Sequence, residues 1–236
     1  MKPYIVAALA LLLAVPAQAK KPSFSCNAAS VSRYVSVRGF DIAGSSIQGG
    51  LDFSIPVENS SINASFWSSC GHKKNETAIQ KPTEVDFDIF YAGENGPIFY
   101  KVGTGRYFFP AFNHETAEFY GKIGRSNLFG RKVPVNVSLE MYQDLMHGGS
   151  GASLKAETKT PKIPIVNNPL DLGCSLGWND RYNKKLTGIS NIVLDASLPI
   201  FDNDYFSVSV NARDVLPLRE DFRHAFSVGP AFSVKF

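Results

Sequence analysis

Apolar and polar residues alternate strictly along several stretches of this sequence, and this pattern constrains the fold more than any other feature. In residues 46–55, Ile47, Leu51, Phe53 and Ile55 alternate with polar or small residues. Residues 83–91, 133–141 and 191–200 repeat the pattern. A period of two places apolar side chains on one face of a β-strand and polar side chains on the other. The sequence therefore predicts an all-β fold.

Eight weaker segments of the same kind bring the predicted number of strands to twelve. They are residues 31–38, 62–70, 99–109, 117–124, 152–159, 172–178, 205–212 and 225–236. Several connections are short, whereas residues 71–82 and 213–224 form long, charged ones. Outer-membrane barrels have even strand numbers, tight periplasmic turns and longer outer loops. We therefore predict an antiparallel transmembrane β-barrel of about 12 strands, in which residues 160–171 form an unusually long connection at the periplasmic end.

The first nineteen residues have the pattern of a cleaved secretory signal peptide. Lys2 precedes an apolar run at residues 5–15, and Ala17-Gln18-Ala19 follows as a cleavage site. This run is about half of the roughly 20 residues that a membrane-spanning helix needs. We expect residues 1–19 to be removed and residues 20–236 to form the barrel domain. No later apolar run approaches the length of a spanning helix, so the chain would cross a membrane with strands.

The end of the sequence has its own signature. Phe232, Val234 and Phe236 share one face of the last segment. A final aromatic residue after alternating apolar positions resembles the signal by which bacterial outer-membrane barrels are recognised by the barrel-assembly machinery. The alternative is an amphipathic strand that carries no signal. Pro230 cannot donate a ladder hydrogen bond, so it predicts a bulge in this strand.

Several stretches also follow the order of a known family. Val-Ser-Arg-Tyr and Arg-Gly-Phe occur within residues 31–40, and Ile-Gln-Gly-Gly-Leu-Asp-Phe follows at residues 47–53. This order resembles the amino-terminal signature of the TorF family of porins, and the resemblance extends over about residues 30–125. Arg33 stands where that family usually has an acidic residue. The resemblance implies an outer-membrane barrel of a Gram-negative bacterium, and it implies no chemistry for particular residues.

Charges of both signs lie on the polar faces of the predicted strands. A Lys that faced hydrocarbon at the bilayer midplane would cost about 2–4 kcal/mol, so these side chains should face the interior. Two interpretations stay open, because a twelve-strand barrel lies between filled and water-filled sizes: an aqueous pore lining, or an ion-pair network that fills the lumen. The predicted lining set is Asp52, Glu84, Asp86, Asp88, Lys101, Lys122, Glu140, Lys155, Glu157 and Asp195.

The histidines give little support for catalysis or metal binding. His72, His114, His147 and His224 all fall in predicted outer loops or at the rim, and none has the spacing of helical metal ligands. No hydrolase motif is present. We expect no metal, no cofactor and no enzymatic activity, although His114 beside Glu115 leaves a hydrolase site at the rim as an alternative.

Cysteine content and net charge exclude further classes. Cys26, Cys70 and Cys174 are too few and too far apart for a disulfide scaffold, so we interpret them as small apolar residues on or near strands, with one long-range disulfide as the alternative. With 24 Lys and Arg against 21 Asp and Glu, the sequence has no basic stripe, and nucleic acid is not an expected partner.

These observations lead to one leading hypothesis and three alternatives. The leading hypothesis is a monomeric outer-membrane barrel that acts as a narrow channel for small hydrophilic solutes. Its expected partners are outer-membrane lipid and lipopolysaccharide, the barrel-assembly machinery and the solutes themselves. The alternatives are a barrel with a hydrolase site at its rim, a structural or adhesion barrel that transports nothing, and a secreted β-sandwich.

Overall fold

A computed structural model of the protein describes residues 21–35, 41–71, 82–130, 134–164, 167–182, 187–220 and 223–236. The predicted signal peptide, residues 1–19, lies outside the described residues. Among the residues described, no helix is long and apolar enough to span a membrane. The strands are β1 (Ser23–Val31), β2 (Tyr34–Val35), β3 (Asp41–Ala43), β4 (Ser46–Val57), β5 (Ser60–Gly71), β6 (Pro82–Asn95), β7 (Ile98–Phe109), β8 (His114–Arg125), β9 (Val135–Asp144), β10 (Ser150–Ile163), β11 (Asn168–Asp180), β12 (Thr187–Asp202), β13 (Phe206–Pro217) and β14 (Ala225–Lys235), with a 3-10 turn at Pro110–Phe112.

Twelve of these strands form one closed antiparallel barrel. Sequential neighbours pair from β4 through β14, and β1 closes the sheet by pairing with both β4 and β14. The short strands β2 and β3 form a separate two-stranded sheet. The predicted antiparallel barrel of about 12 strands is confirmed. The β-sandwich alternative is wrong, because this sheet closes on itself instead of packing against a second sheet.

The distribution of side chains is inverted relative to that of a soluble protein. Phe87 is 51% exposed and Leu154 is 51% exposed on the outer face, whereas Glu118 is fully buried inside. An apolar outer band with a polar interior is the arrangement that hydrocarbon around a barrel requires. Alternation along the strands produces both faces at once, because lumen-facing polar residues mostly alternate with outward-facing apolar ones.

The two ends of the barrel differ. Ser25 pairs with Lys235, so the start of β1 and the end of β14 lie at the same end of the barrel. We call this the terminus end and the opposite one the loop end. Three pairs of aromatic rings lie on the outer face near the terminus end, each with a centroid distance of 6.0 Å: Phe24–Phe236, Tyr91–Tyr100 and Phe201–Phe206. Aromatic girdles of this kind mark the interfacial level of membrane barrels.

The predicted long connection at residues 160–171 is wrong. β10 continues to Ile163 and β11 begins at Asn168, so most of this stretch is a hairpin. The ladder is irregular between Lys159 and Lys162, which accommodates Pro161, a residue without an amide donor. The longer connection at the terminus end instead lies between β8, which ends at Arg125, and β9, which begins at Val135.

The predicted first strand, residues 31–38, is also wrong. The first barrel strand is β1, Ser23–Val31, and the chain then leaves the wall. Ser32 donates its amide to the Val228 carbonyl at 2.9 Å, and the Val228 amide donates to the Ser32 hydroxyl at 3.1 Å. Residues 32–35 and 41–45 are called the inner segment below, and residues 36–40 lie outside the described residues.

The exit of β1 from the wall explains the glycine and the proline of the last strand. A Cβ at Gly229 would collide with the Ser30 carbonyl oxygen, so the backbone of β1 can cross only a glycine there. Pro230 pairs with Val210 of β13 without a register shift, so the predicted bulge is wrong. Its missing amide faces the side on which β1 has just departed, where no ladder partner needs a donor.

Candidate functional site: the lumen

The strand register places all ten predicted lining residues on the lumen face, in three different surroundings. Asp52 and Asp88 are linked across β5 by Ser65, and Lys101 pairs with Lys122, which pairs with Glu140. Lys155 and Glu157 lie on β10, and Asp195 lies on β12. The ten residues do not form one ring. Glu84, Asp86 and Asp88 lie in a packed region on β4–β9 near the loop end, Lys155, Glu157 and Asp195 lie in an open region on β10–β13, and the other four lie lower in the lumen.

Tyrosine hydroxyls approach the carboxylates of the packed region. Tyr34 donates to Glu84 Oε2, Tyr107 donates to Asp88 Oδ1 at 3.1 Å, and Tyr182 donates to Glu118 Oε1. Asp86 lies between Glu84 and Asp88 on the same face of β6. A hydrogen bond to a charged acceptor is stronger than one between neutral groups, and the aromatic ring also fills space that water would occupy. The packed region is therefore filled by side chains.

The inner segment completes this packing from inside the barrel. The Tyr34 ring lies 5.4 Å from the Trp67 ring, and Tyr34 is only 7% exposed. A Cβ added at Gly71 would lie 2.9 Å from the Ala43 Cβ, so the segment also lies close against the lumen face of β5. These contacts place the inner segment in the loop-end half of the lumen.

Two further clusters fill the same half. Tyr142 meets Tyr182 edge to face at 4.7 Å, and Tyr120 packs with them. On the other side of the barrel, a small apolar cluster of Val193, Val215 and Ala225 occupies lumen-facing positions and is almost completely buried. The loop-end half is thus occupied by side chains as well as by the inner segment.

Four predicted residues lie lower in the lumen. Asp52 accepts hydrogen bonds from Asn27 Nδ2 at 3.1 Å and from Ser25 Oγ at 3.4 Å. Lys101 Nζ lies 3.7 Å from the centroid of the Phe90 ring, a cation–π geometry. Its ladder neighbours Lys122 and Glu140 extend this row with a second cation and a carboxylate.

The open region contains a polar cavity of about 810 Å³. It extends from Asn127 in the β8–β9 connection, at the terminus end, to Tyr34 of the inner segment. Three ion pairs line it: Lys155–Glu157 at 2.7 Å, Lys159–Asp171 at 3.1 Å and Asp195–Arg213 at 2.6 Å. Gln48, Asn136, Thr158, Ser197, Asn211 and Ser227 supply uncharged polar groups to its wall. These groups can hydrate a solute or replace its water, so the cavity suits hydrophilic molecules.

The predicted His114–Glu115 pair is wrong, because adjacent residues of a strand face opposite sides. Glu115 faces outward and forms an ion pair with Arg106 at 2.8 Å. His114 faces the lumen side of the rim, where its ring lies 4.8 Å from that of His147. His147 Nδ1 lies 3.5 Å from Asp144 Oδ2.

The described residues include no group of three or more His, Cys, Asp or Glu side chains that could hold a metal ion. The three cysteines are free. Cys26, Cys70 and Cys174 lie on β1, β5 and β11, as the interpretation of small apolar strand residues predicted, and no disulfide joins them.

The residues of the predicted assembly signal lie on the outer face of β14. Phe232 pairs with Ala28 and Val234 pairs with Cys26 across the β1–β14 closure. Phe236 exchanges backbone hydrogen bonds with Phe24. These positions stand at the seam of the barrel, and their role in assembly stays a prediction.

Sequence reasoning missed Glu118, Tyr182 and Arg213. Glu118 lies on the same face of β8 as Lys122, so the period of two alone predicts that it faces the lumen. Arg213 falls in the predicted long connection 213–224, whereas β13 continues to Pro217. Asp214 faces outward at the rim and lies 2.8 Å from His224 Nε2. Tyr182 carried no local signal, because its role depends on the distant Glu118.

No protein-family model and no curated protein matches the sequence. Solved structures do resemble the fold. The KdgM porin matches with a TM-score of 0.54 and 10% identity, over 91% of this chain and 99% of that chain, and its complex with disordered oligogalacturonate gives the same values. An outer-membrane channel from Pseudomonas putida F1 matches with a TM-score of 0.54 and 9% identity, over 91% of this chain and 94% of that chain. At such low identity the similarity concerns the fold alone: the chain has the twelve-strand barrel fold found in these outer-membrane channels.

Proposed function

We propose that this protein is an outer-membrane channel for small hydrophilic solutes. The observation that carries the proposal is the polar cavity of about 810 Å³ within a closed barrel that has an apolar outer face. A protein that only anchors or adheres does not need a polar space inside its barrel that is lined by ion pairs of β10–β13. The similar barrel folds of the KdgM porin and the Pseudomonas channel also support the channel proposal.

The proposal includes the location and partners expected from the sequence. The protein is a monomer in the outer membrane of a Gram-negative bacterium, exported by a signal peptide, and is related to the TorF family. Lipid and lipopolysaccharide surround the apolar band, and the barrel-assembly machinery recognises the strand that contains Phe232, Val234 and Phe236.

Single-channel conductance of the purified protein in a planar bilayer tests the channel function. We expect discrete conductance steps, and liposome swelling with sugars that slows as the sugar grows larger. Heat-modifiable migration on a denaturing gel establishes in parallel that the barrel is folded. A folded barrel without conductance or swelling contradicts the channel and favours the structural or adhesion alternative.

Replacement of Phe236 by Asp tests the assembly signal. We expect a lower yield of folded barrel in the outer membrane, because a carboxylate would replace an exposed apolar ring at the seam. The matched control is Lys235→Asn, since Lys235 lies on the other face of the same strand. An equal yield for both variants argues against a signal at Phe236.

A hydrolase site at the rim is a second candidate, and one contact favours it. Asp144 is almost fully buried, accepts hydrogen bonds from the backbone amides of Met146 and His147, and lies 3.5 Å from the His147 imidazole. A carboxylate that orients an imidazole is part of many hydrolytic sites. If the protein hydrolyses esters or peptides, His147→Gln should abolish the activity. Unchanged hydrolysis in this variant would remove the candidate.

A further inference from the structure

We propose that the inner segment is a plug that narrows the loop-end half of the lumen, and that the path behind it favours small cationic solutes. The proposal rests on the channel function proposed above. It adds a gate to that function and names the charge class that the open gate would admit.

One side chain of the plug contacts two strands of the wall. Tyr34 donates a hydrogen bond to Glu84 on β6, and its ring packs at a tilt against Trp67 on β5. Both partners belong to the barrel wall, so Tyr34 joins the segment to two neighbouring strands at once. Ala43 adds close contact with Gly71 at the loop end of β5.

The barrel wall is complete without the plug. β1 pairs with β4 as far as Val31–Ser46 and with β14 as far as Ala29–Ala231. The segment leaves the ladder only after these pairs and crosses Gly229, with Ser32 hydrogen-bonded to Val228. It can therefore move away from Glu84 and Trp67 while every ladder of the closed barrel is kept.

The wall behind the plug is acidic. Glu84, Asp86 and Asp88 lie on β6 and Glu118 lies two strands away on β8. In the part of the chain that the structure describes, no Lys or Arg occupies a lumen-facing position of β4, β5 or β6. The plug itself carries Arg33, which lines the cavity. Movement of the plug would displace this cation and remove the Tyr34 ring from Glu84, and acidic rows favour the passage of cations.

Conductance and reversal potential of Tyr34 variants test the plug. Tyr34→Ala removes both the hydroxyl and the ring, so we expect a several-fold increase in conductance and a shift of the reversal potential toward cations in a salt gradient. Tyr34→Phe keeps the ring on Trp67 and should give a smaller increase. Tyr205→Ala is the matched control, because Tyr205 is 72% exposed at the terminus end and should change neither quantity.

Fluorescence supplies a measurement that does not depend on conductance. Trp67 and Trp178 are the two tryptophans of the sequence, and Trp178 faces outward on β11, so Trp178→Phe leaves Trp67 as the single reporter. In this background Tyr34→Ala should shift the Trp67 emission to the red as water reaches the ring. If Tyr34→Ala does not fold, Glu84→Gln replaces it, since it removes the charge from the hydrogen bond at nearly constant volume.

The outcomes separate the plug from the channel itself. If neither the unmodified protein nor any folded variant conducts, the channel function and the plug are both contradicted. A conducting protein in which Tyr34→Ala and Glu84→Gln change neither the conductance nor the Trp67 emission overturns the plug and leaves the channel. Higher conductance without a shift toward cations overturns the charge preference.

Discussion

The packed and open regions of the lumen use the same residue type for different purposes. In the packed region, Glu84, Asp88 and Glu118 accept hydrogen bonds from tyrosines, and the rings occupy the space around them. In the open region, Asp195 and Glu157 meet Arg213 and Lys155 beside a cavity of about 810 Å³. The comparison shows that the neighbour of a lumen carboxylate, more than the carboxylate itself, decides whether water has room.

The contrast between the two regions depends on which face of each strand lines the lumen and which faces lipid. Leu51→Arg tests that assignment. Leu51 faces outward, so the cation would enter hydrocarbon and cost about 2–4 kcal/mol near the midplane. The control, Gln48→Arg, lies on the lumen face of the same strand and should cost much less. Thermal unfolding in detergent measures both. Equal losses of stability would mean that the register of β4 is wrong.

Tyr182→Phe tests the packed region. The variant removes the hydroxyl that donates to the fully buried Glu118, and an impaired buried acceptor costs about 1–3 kcal/mol of the free energy of unfolding. The matched change in the open region is Asp195→Asn, which alters an ion pair beside water and should cost less. If Asp195→Asn is the more destabilising change, the contrast between the two regions does not hold.

The double variant Asp86→Asn with Asp88→Asn tests how the packed region influences ions. An Asn oxygen can still accept the hydrogen bond from Tyr107, so we expect a loss of only about 0.5–1.5 kcal/mol in the free energy of unfolding. The loss of negative charge should shift the reversal potential toward anions. Lys101 and Lys122 oppose these carboxylates, so the shift should be small. Severe destabilisation would instead indicate the structural ion-pair network.

The faces of the strands were predictable because a period of two is a local property. All ten predicted residues lie on the lumen face, since each one alternates with an apolar neighbour within its own segment. The division into packed and open regions was not predictable. It depends on which tyrosine lies beside which carboxylate, and Tyr182 and Glu118 are 64 positions apart.

The inner segment shows the same limit of local patterns. Residues 31–38 alternate well enough to predict a strand, yet the wall strand ends at Val31. The departure depends on Gly229 and Val228, which are almost two hundred residues away in the sequence. A local pattern can indicate that a strand is possible, but not that a distant glycine allows the chain to cross the wall.

The most direct test of the open region as the path for solutes is the conductance of Gly173→Trp against that of Cys174→Trp. Gly173 faces the cavity, where a Cβ added to it would contact Asp195 and Lys155 without a clash. Cys174 is the next residue on β11 and faces outward. The same ring is therefore added on opposite sides of one strand. We predict that Gly173→Trp strongly reduces the conductance while Cys174→Trp leaves it unchanged, with both barrels folded. Equal conductance in the two folded variants would contradict the claim that solutes pass through the cavity.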